Sequence, residues 1–357
     1  MHSLLFSLLT LLYPPQEATI VFGGDAMQHQ YQLECAHQKD GSYDYSDCFT
    51  EVKDYVQSAD YAVINLETTI GRTNFTGFPC FCSPESYMTS LQDAGFDLML
   101  TANNHTLDRR DKGIGLTIDA LNRHNIEHIG TYKNAAERAK AIPFIKDINS
   151  FKVGFLNYTY GTNGIEIQGD VAVDYINREK IKKDIAATRA AGAEILCVCI
   201  HWGEEYKLLP NSFQKSMADF LVDQGVDLII GGHPHVIQPM EIRHNDKTDR
   251  DVLVVWSLGN FISNMKTRDT RGGAMVETTL TRDTDGTARL KSAAYRLVYT
   301  IPGTQGSSNF HLIMVDPDTD INAKAGAYAQ RCRDFVSSAL TIFNRYNISV
   351  PRLTPDK

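Results

Sequence analysis

The sequence predicts an α/β fold. Three observations carry this. Short apolar runs alternate with helix-patterned segments through residue 265, polar residues gather just past the apolar runs, and antiparallel-type alternation appears only after Gly259. The strand candidates, in order, are Thr19–Phe22, Tyr61–Asn65, Asp97–Thr101, Lys152–Asn157, Ile195–Ile200, Asp227–Ile230 and Val252–Trp256. Helix-patterned segments lie between them at Phe49–Ser58, Ser86–Ala94, Gly113–His124, Arg178–Ala191 and Ser212–Gln224. In Gly113–His124 the spacing of Ile114, Ile118 and Leu121 is helical. Beyond Gly259, Gly273–Thr281 and Thr287–Thr300 alternate like antiparallel strands, and Ile321–Tyr346 reads as one or two helices. No repeat or linker divides the chain, so one domain is expected over residues 19–357, behind an N-terminal segment of residues 1–18.

Composition excludes several classes. Hydrophobic residues at 43% and charged residues at 22% match globular averages, which argues against disorder and coiled coil. The net charge of −8, with no basic tract, argues against a binder of nucleic-acid backbones. Leu4–Tyr13 is an apolar run too short to span a bilayer, which takes roughly 20 residues. It fits the apolar part of an export signal, although the segment before it has no Lys or Arg; a first amphiphilic helix is the alternative. Seven cysteines are present and none forms a C-x-x-C pair, so zinc-ribbon and thioredoxin readings fail. In an exported protein Cys35, Cys48, Cys80 and Cys82, in loop-like sequence, can pair; Cys197 and Cys199 read as small core residues.

The chemistry sits at the strand ends. The strand candidates run into Gly23-Gly24-Asp25, Asn65-Leu66-Glu67, Asn103-Asn104-His105, His201-Trp202 and Gly231-Gly232-His233-Pro234-His235. Ligands of open α/β sheets bind outside the carboxyl ends of strands. Carboxylates, an Asn and several His gathered there suit zinc, manganese or iron, and two such cations can activate water and clamp an anionic substrate. Alternation puts Ile195, Cys197, Cys199 and His201 on one strand face, so His201 is either a ligand at the strand tip or a core histidine. In an extended segment His233 and His235 point to one side; the alternative is a glycine-rich turn with surface histidines. His29 stands four residues after Asp25. If the chain turns helical there, it shares a face with Asp25 and completes a site; otherwise it is a loop residue and water fills the position.

These motifs, together with Gly24-Asp25-Ala26-Met27, Ala102–Asp108, His201–Tyr206 and Ser257–Phe261, resemble the poly-γ-glutamate capsule-synthesis family (CapA/PgsA type) within the calcineurin-like metallophosphoesterases. The resemblance covers about residues 19–265. It implies a four-layer αββα sandwich and two divalent metal ions. It also implies that Asp25 and His235 bind the first metal, Glu67 takes the bridging place, Asn104, His201 and His233 bind the second, and His105 meets the substrate or protonates a leaving group. The chain departs from the superfamily in having Met27 where Asp-x-His has histidine and Glu67 where the second motif has Asp. Asp108 is placed to orient His105. Glu205, Tyr206 and Asn260 are candidates for substrate contact, with an ordinary polar loop as the alternative for the first two.

Two functions are thus expected. One is a metal-dependent hydrolase or transferase acting on a phosphoester or an anionic polymer, alongside membrane-associated capsule-synthesis proteins. The other is a non-catalytic envelope component that binds an anionic polymer in the same cleft.

Overall fold

The structure is a computed structural model describing residues 16–353; Leu4–Tyr13, the run read as an export signal, lies outside the described residues. Strands β1 (Glu17–Ala26), β2 (Tyr61–Leu66), β3 (Leu98–Leu100) and β4 (Glu127–Ile129) come first. Next are β5 (Phe144–Ile148), β6 (Phe151–Thr159), β7 (Ile195–His201), β8 (Leu228–Gly232), β9 (Met240–Asn245) and β10 (Arg250–Val255). Last are β11 (Asn260–Ile262), β12 (Gly272–Arg282), β13 (Ala288–Ile301) and β14 (His311–Val315). They form two large sheets. One runs β14-β13-β12-β1-β2-β3-β4 with β11 beside the end of β1; the other runs β9-β10-β8-β7-β6-β5. The centre of each is parallel: β1 to β4 in the first, and β6, β7, β8 and β10 in the second.

Side-chain alternation builds the layers. Ile20 and Phe22 of β1 pack in one core with Ile195, Cys197 and Cys199 of β7, so that core lies between the sheets. Val21 turns the other way, toward Val52, Val56, Met88 and Leu91 of the helices Thr50–Ser58 and Glu85–Asp93. Leu196, Val198 and Ile200 meet Ile181, Ile185, Met217 and Leu221 of the helices Arg178–Ala190 and Ser212–Asp223. Helices thus cover both outer faces, the αββα order expected. The shared face predicted for Ile195, Cys197 and Cys199 is present. No helix among the described residues is long and apolar enough to cross a membrane.

The strands and helices expected up to Trp256 are found with small boundary shifts. Several elements escaped prediction, among them β14, which is apolar with Leu312, Ile313 and Val315 buried, and others with weaker patterns. The strand β11 has only three residues, β9 carries Glu, Arg and His on an edge, and the helix Ala135–Ala141 buries no side chain. Ile321–Tyr346 resolves into two helices, Ile321–Ala325 and Ala329–Tyr346. Cys35 lies in the helix Gln30–Ala36 rather than in a loop, and is buried. All seven cysteines carry free thiols, so none of the four loop-assigned ones is paired.

The final helix belongs to the core. Cys332, Phe335, Ala339 and Phe343 make one stripe at helical spacing and join the inter-sheet cluster. The rings of Phe335 and Tyr299 lie 5.7 Å apart, and those of Phe343 and Tyr295 4.4 Å apart. Truncating Phe335 to Ala should therefore destabilise the whole fold by about 3–5 kcal/mol. A chemical denaturation midpoint unchanged from wild type would show that this helix is peripheral.

Candidate metal centre

Both sheets aim the carboxyl ends of their parallel strands at one place. The first brings Asp25 at the end of β1, Asn65 in register with it on β2, Glu67 just past β2, and the loop Asn103–His105 past β3. The second brings His201 at the tip of β7, in register with Gly232 of β8, and His233 and His235 beyond it. All of these side chains are buried; Asp25 and Glu67 have no exposed surface.

Asn65 holds the two carboxylates together. Its Nδ2 donates to Asp25 Oδ1 at 2.8 Å and to Glu67 Oε2 at 3.1 Å, while its Oδ1 accepts from Asn103 Nδ2 at 3.2 Å. Asp25 Oδ2 accepts from the His233 backbone N–H at 3.2 Å and stands 3.2 Å from His235 Nδ1. Glu67 Oε1 is buried without a hydrogen-bond partner, 3.6 Å from Nε2 of both His201 and His235. His201 Nε2 lies 2.9 Å from Asn104 Oδ1, and its ring is 4.9 Å from that of His233. His233 Nδ1 is also buried without a partner.

The electrostatics follow from that crowding. Burial first, and then the Asp25 charge, pushes the Glu67 carboxyl well above the usual range. Burial also works against ionised Asp25, but the hydrogen bond and charge of His235, with His201 and Asn65, hold it below the usual range. Burial pushes His233 down to about 3 and His201 well below its ordinary value, with neighbouring imidazoles adding to both shifts. Neutral imidazoles keep a lone pair free for a metal.

Two ligand sets have donor atoms within 4.8 Å of one another: Asp25, Glu67 and His201, and Glu205, His233 and His235. Partnerless lone pairs on Glu67 and His233, in a buried oxygen and nitrogen donor set, fit divalent cations. The histidine pair does not lie in an extended segment as expected. His233 has φ +98° and His235 φ +56°, a kinked path around Pro234 that L-residues adopt only when their surroundings impose it. Gly232 permits the closure, since a Cβ there would stand 2.8 Å from Asp25 Oδ1.

The other predicted residues are placed as follows. His105 Nδ1 is 2.8 Å from Asp108 Oδ2, which also accepts from the Phe81 backbone N–H at 2.6 Å. The Phe81 ring meets the His105 ring edge-on at 4.5 Å. Asn260 is fully buried. Its Oδ1 lies 3.0 Å from His235 Nδ1, and its Nδ2 donates to Thr270 O at 2.8 Å, so its amide braces His235. Glu205 and Tyr206 are on the exposed rim, with the Tyr206 ring 6.5 Å from His235. The helical turn that would put His29 beside Asp25 does not form. The strand continues to Ala26, the helix starts at Gln30, and His29 Nδ1 accepts from the Asn264 N–H at 3.2 Å. Met27 is buried as packing, 1% exposed.

Sequence reasoning put Asn65 and Asn103 at strand ends without assigning them a role, and missed Asn157 and Tyr160 as parts of this site. Asn157 Oδ1 accepts from the Ala102 N–H at 2.8 Å, and the Tyr160 ring lies 4.5 Å from that of His233. The strand-end rule applied to amides as well as to acids and histidines would have found the asparagines.

Two facing sheets flanked by helices, with acids, amides and imidazoles converging at the strand ends, define a four-layer αββα sandwich with a candidate metal centre. Its fold is shared with NAD nucleotidase of Haemophilus influenzae, at a TM-score of 0.50 and 11% identity over 90% of this chain and 56% of that one. Residues 19–265 match the family described as bacterial capsule synthesis protein PGA_cap, and the chain belongs to that family. It is 27% identical over 286 residues to the capsule biosynthesis protein CapA of Bacillus anthracis, covering 77% of this chain and 66% of that protein. It is 26% identical over 275 residues to the PGA biosynthesis protein CapA of Bacillus subtilis, covering 76% of this chain and 69% of that one. The matches thus span about two thirds of these relatives.

Replacing Asn65 with Leu removes the donor that Asp25 and Glu67 share. Affinity for manganese or zinc should fall about 10- to 100-fold, the scale of losses from residues that orient ligands. Calorimetric titration showing wild-type affinity would mean that Asn65 does not organise the site.

Proposed function

We propose that this chain is a metal-dependent hydrolase or transferase that acts on poly-γ-glutamate or a related anionic capsule polymer at the cell envelope. One observation carries the reading: Glu67 Oε1, fully buried and partnerless, is equidistant from His201 and His235. In this reading Asp25 and His235 would hold one divalent cation and Asn104, His201 and His233 a second, with the free Glu67 oxygen available as a further ligand. Bound divalent cations would supply Lewis acidity and activate water.

The chain's own residues do the rest. Asp108 and its bond to Phe81 fix the His105 ring through Nδ1, which leaves Nε2 to give a proton to the leaving group. Glu205 and Tyr206, on the rim, contact the substrate. The family relationship supports a capsule role and, with it, membrane-associated synthesis proteins as partners. A second reading, a non-catalytic binder of anionic polymer, is favoured by Met27, which packs where the superfamily has a metal-binding histidine.

Turnover separates the two. Protein loaded with manganese, zinc or iron should hydrolyse p-nitrophenyl phosphate, its diester or a γ-glutamyl substrate, and Asn104→Ala or His233→Ala should abolish this. For an alkyl leaving group His105→Ala should cost roughly 10²–10⁴ in rate, and far less for p-nitrophenolate, which leaves without a proton. No turnover with any metal, beside tight polymer binding, would decide for the binder.

Envelope placement rests on Leu4–Tyr13. Fractionation and intact mass should find an exported chain lacking roughly its first 13–18 residues. A full-length cytoplasmic protein would overturn it.

A further inference from the structure

A second cavity lies where the chain runs on from Glu67. Past Glu67 the chain forms a short parallel ladder, Thr69–Ile70 with Cys82–Ser83, and then loops over the first turns of the helix Arg110–Arg123. The space between loop and helix is about 500 Å³, and Arg72, Asn74, Cys82, Arg109, Lys112 and Gly113 line it. Three cations line this cavity and no carboxylate does, in a chain whose net charge is −8. The two nearest acids in sequence are committed elsewhere. Asp108 accepts from His105 and Phe81, and Asp111 accepts from the backbone N–H groups of Gln168, at 3.1 Å, and Gly169.

Arg109 is only half satisfied. Its Nη2 donates to two neutral acceptors, Asn74 O at 2.8 Å and Thr76 Oγ1 at 2.7 Å, while its Nε is buried without a partner. The cavity is tied to the proposed reaction site through the chain: Arg109 directly follows Asp108, which is bonded to His105, and Cys82 directly follows Phe81, whose ring rests against His105.

We propose that this cavity is a subsite for a linear polycarboxylate, whose successive carboxylates pair with Arg72, Arg109 and Lys112. This rests on the reading of the chain as acting on an anionic polymer, and it gives that polymer a binding site of its own. Clustered like charges attract a polyanion over several ångströms and lose that hold as salt screens them.

The test is equilibrium binding of fluorescent γ-linked oligoglutamate to the full chain. Affinity should fall as salt rises. The double variant Arg72→Glu/Lys112→Glu should bind at least roughly tenfold more weakly, as expected from losing two exposed ion pairs and adding repulsion. Its metal content and melting temperature should match wild type. Arg72→Gln/Lys112→Gln should show a smaller loss in the same direction, and serves if charge reversal impairs folding. Wild-type affinity in both variants, or no binding by the wild type at low salt, overturns the subsite. Equal binding of charge-matched polyphosphate overturns its assignment to carboxylates. Failure of the hydrolase reading looks different: oligomer binding that depends on Arg72 and Lys112 without any turnover leaves the subsite standing.

Discussion

The structure depends on the burial of two carboxylates side by side. Asp25 and Glu67 have no exposed surface, and one amide, Asn65 Nδ2, serves both. Desolvation and mutual repulsion make such a pair costly unless cationic partners are supplied. The surroundings set imidazoles from the opposite sheet beside them, with His201 and His233 held neutral, and leave a partnerless oxygen on Glu67. The site is a demand for positive charge, and the rest of the molecule is arranged to hold that demand in place.

Two sheets are needed because one cannot supply both halves. The carboxylates come from β1 and β2, and the histidines from β7 and β8; they meet because the inter-sheet core fixes the distance between the strand ends. Ile20 and Phe22 on one side and Cys197 and Cys199 on the other set that separation, so core packing decides ligand geometry. The later strands contribute as well. The start of β11 lies in register with Asp25, and its Asn260 braces His235. The left-handed backbone at His233 and His235 is the local cost of turning both rings inward, borne by a segment locked between the ends of β8 and β11.

Much of the fold was legible in the sequence. Buried parallel strands are continuous apolar runs, and β7 and β8 announce themselves that way. Several short elements were not legible. The helix Ala135–Ala141 buries nothing, β11 and β14 are buried but only three and five residues long, and β9 owes its conformation to the strand beside it. At the site, acids and histidines at strand ends stood out because water-seeking groups rarely end apolar runs in such numbers. Asn65, Asn103 and Asn157 carried no such signal, because an asparagine at or near a strand end is also common in ordinary turns.

By itself the sequence determined the strand order along the chain, the alternation that sorts each strand between core and helices, and the identity of the groups at the strand tips. These are local properties, set by side-chain chemistry and a repeat of two or 3.6 residues. Only the tertiary structure decided which groups touch. It left His29 bonded to Asn264 rather than beside Asp25, turned Asn260 inward onto His235, and gathered Arg72, Arg109 and Lys112, unremarkable one by one, around one cavity. Each of those outcomes depends on segments far apart in sequence, brought together by two sheets whose separation no local pattern encodes.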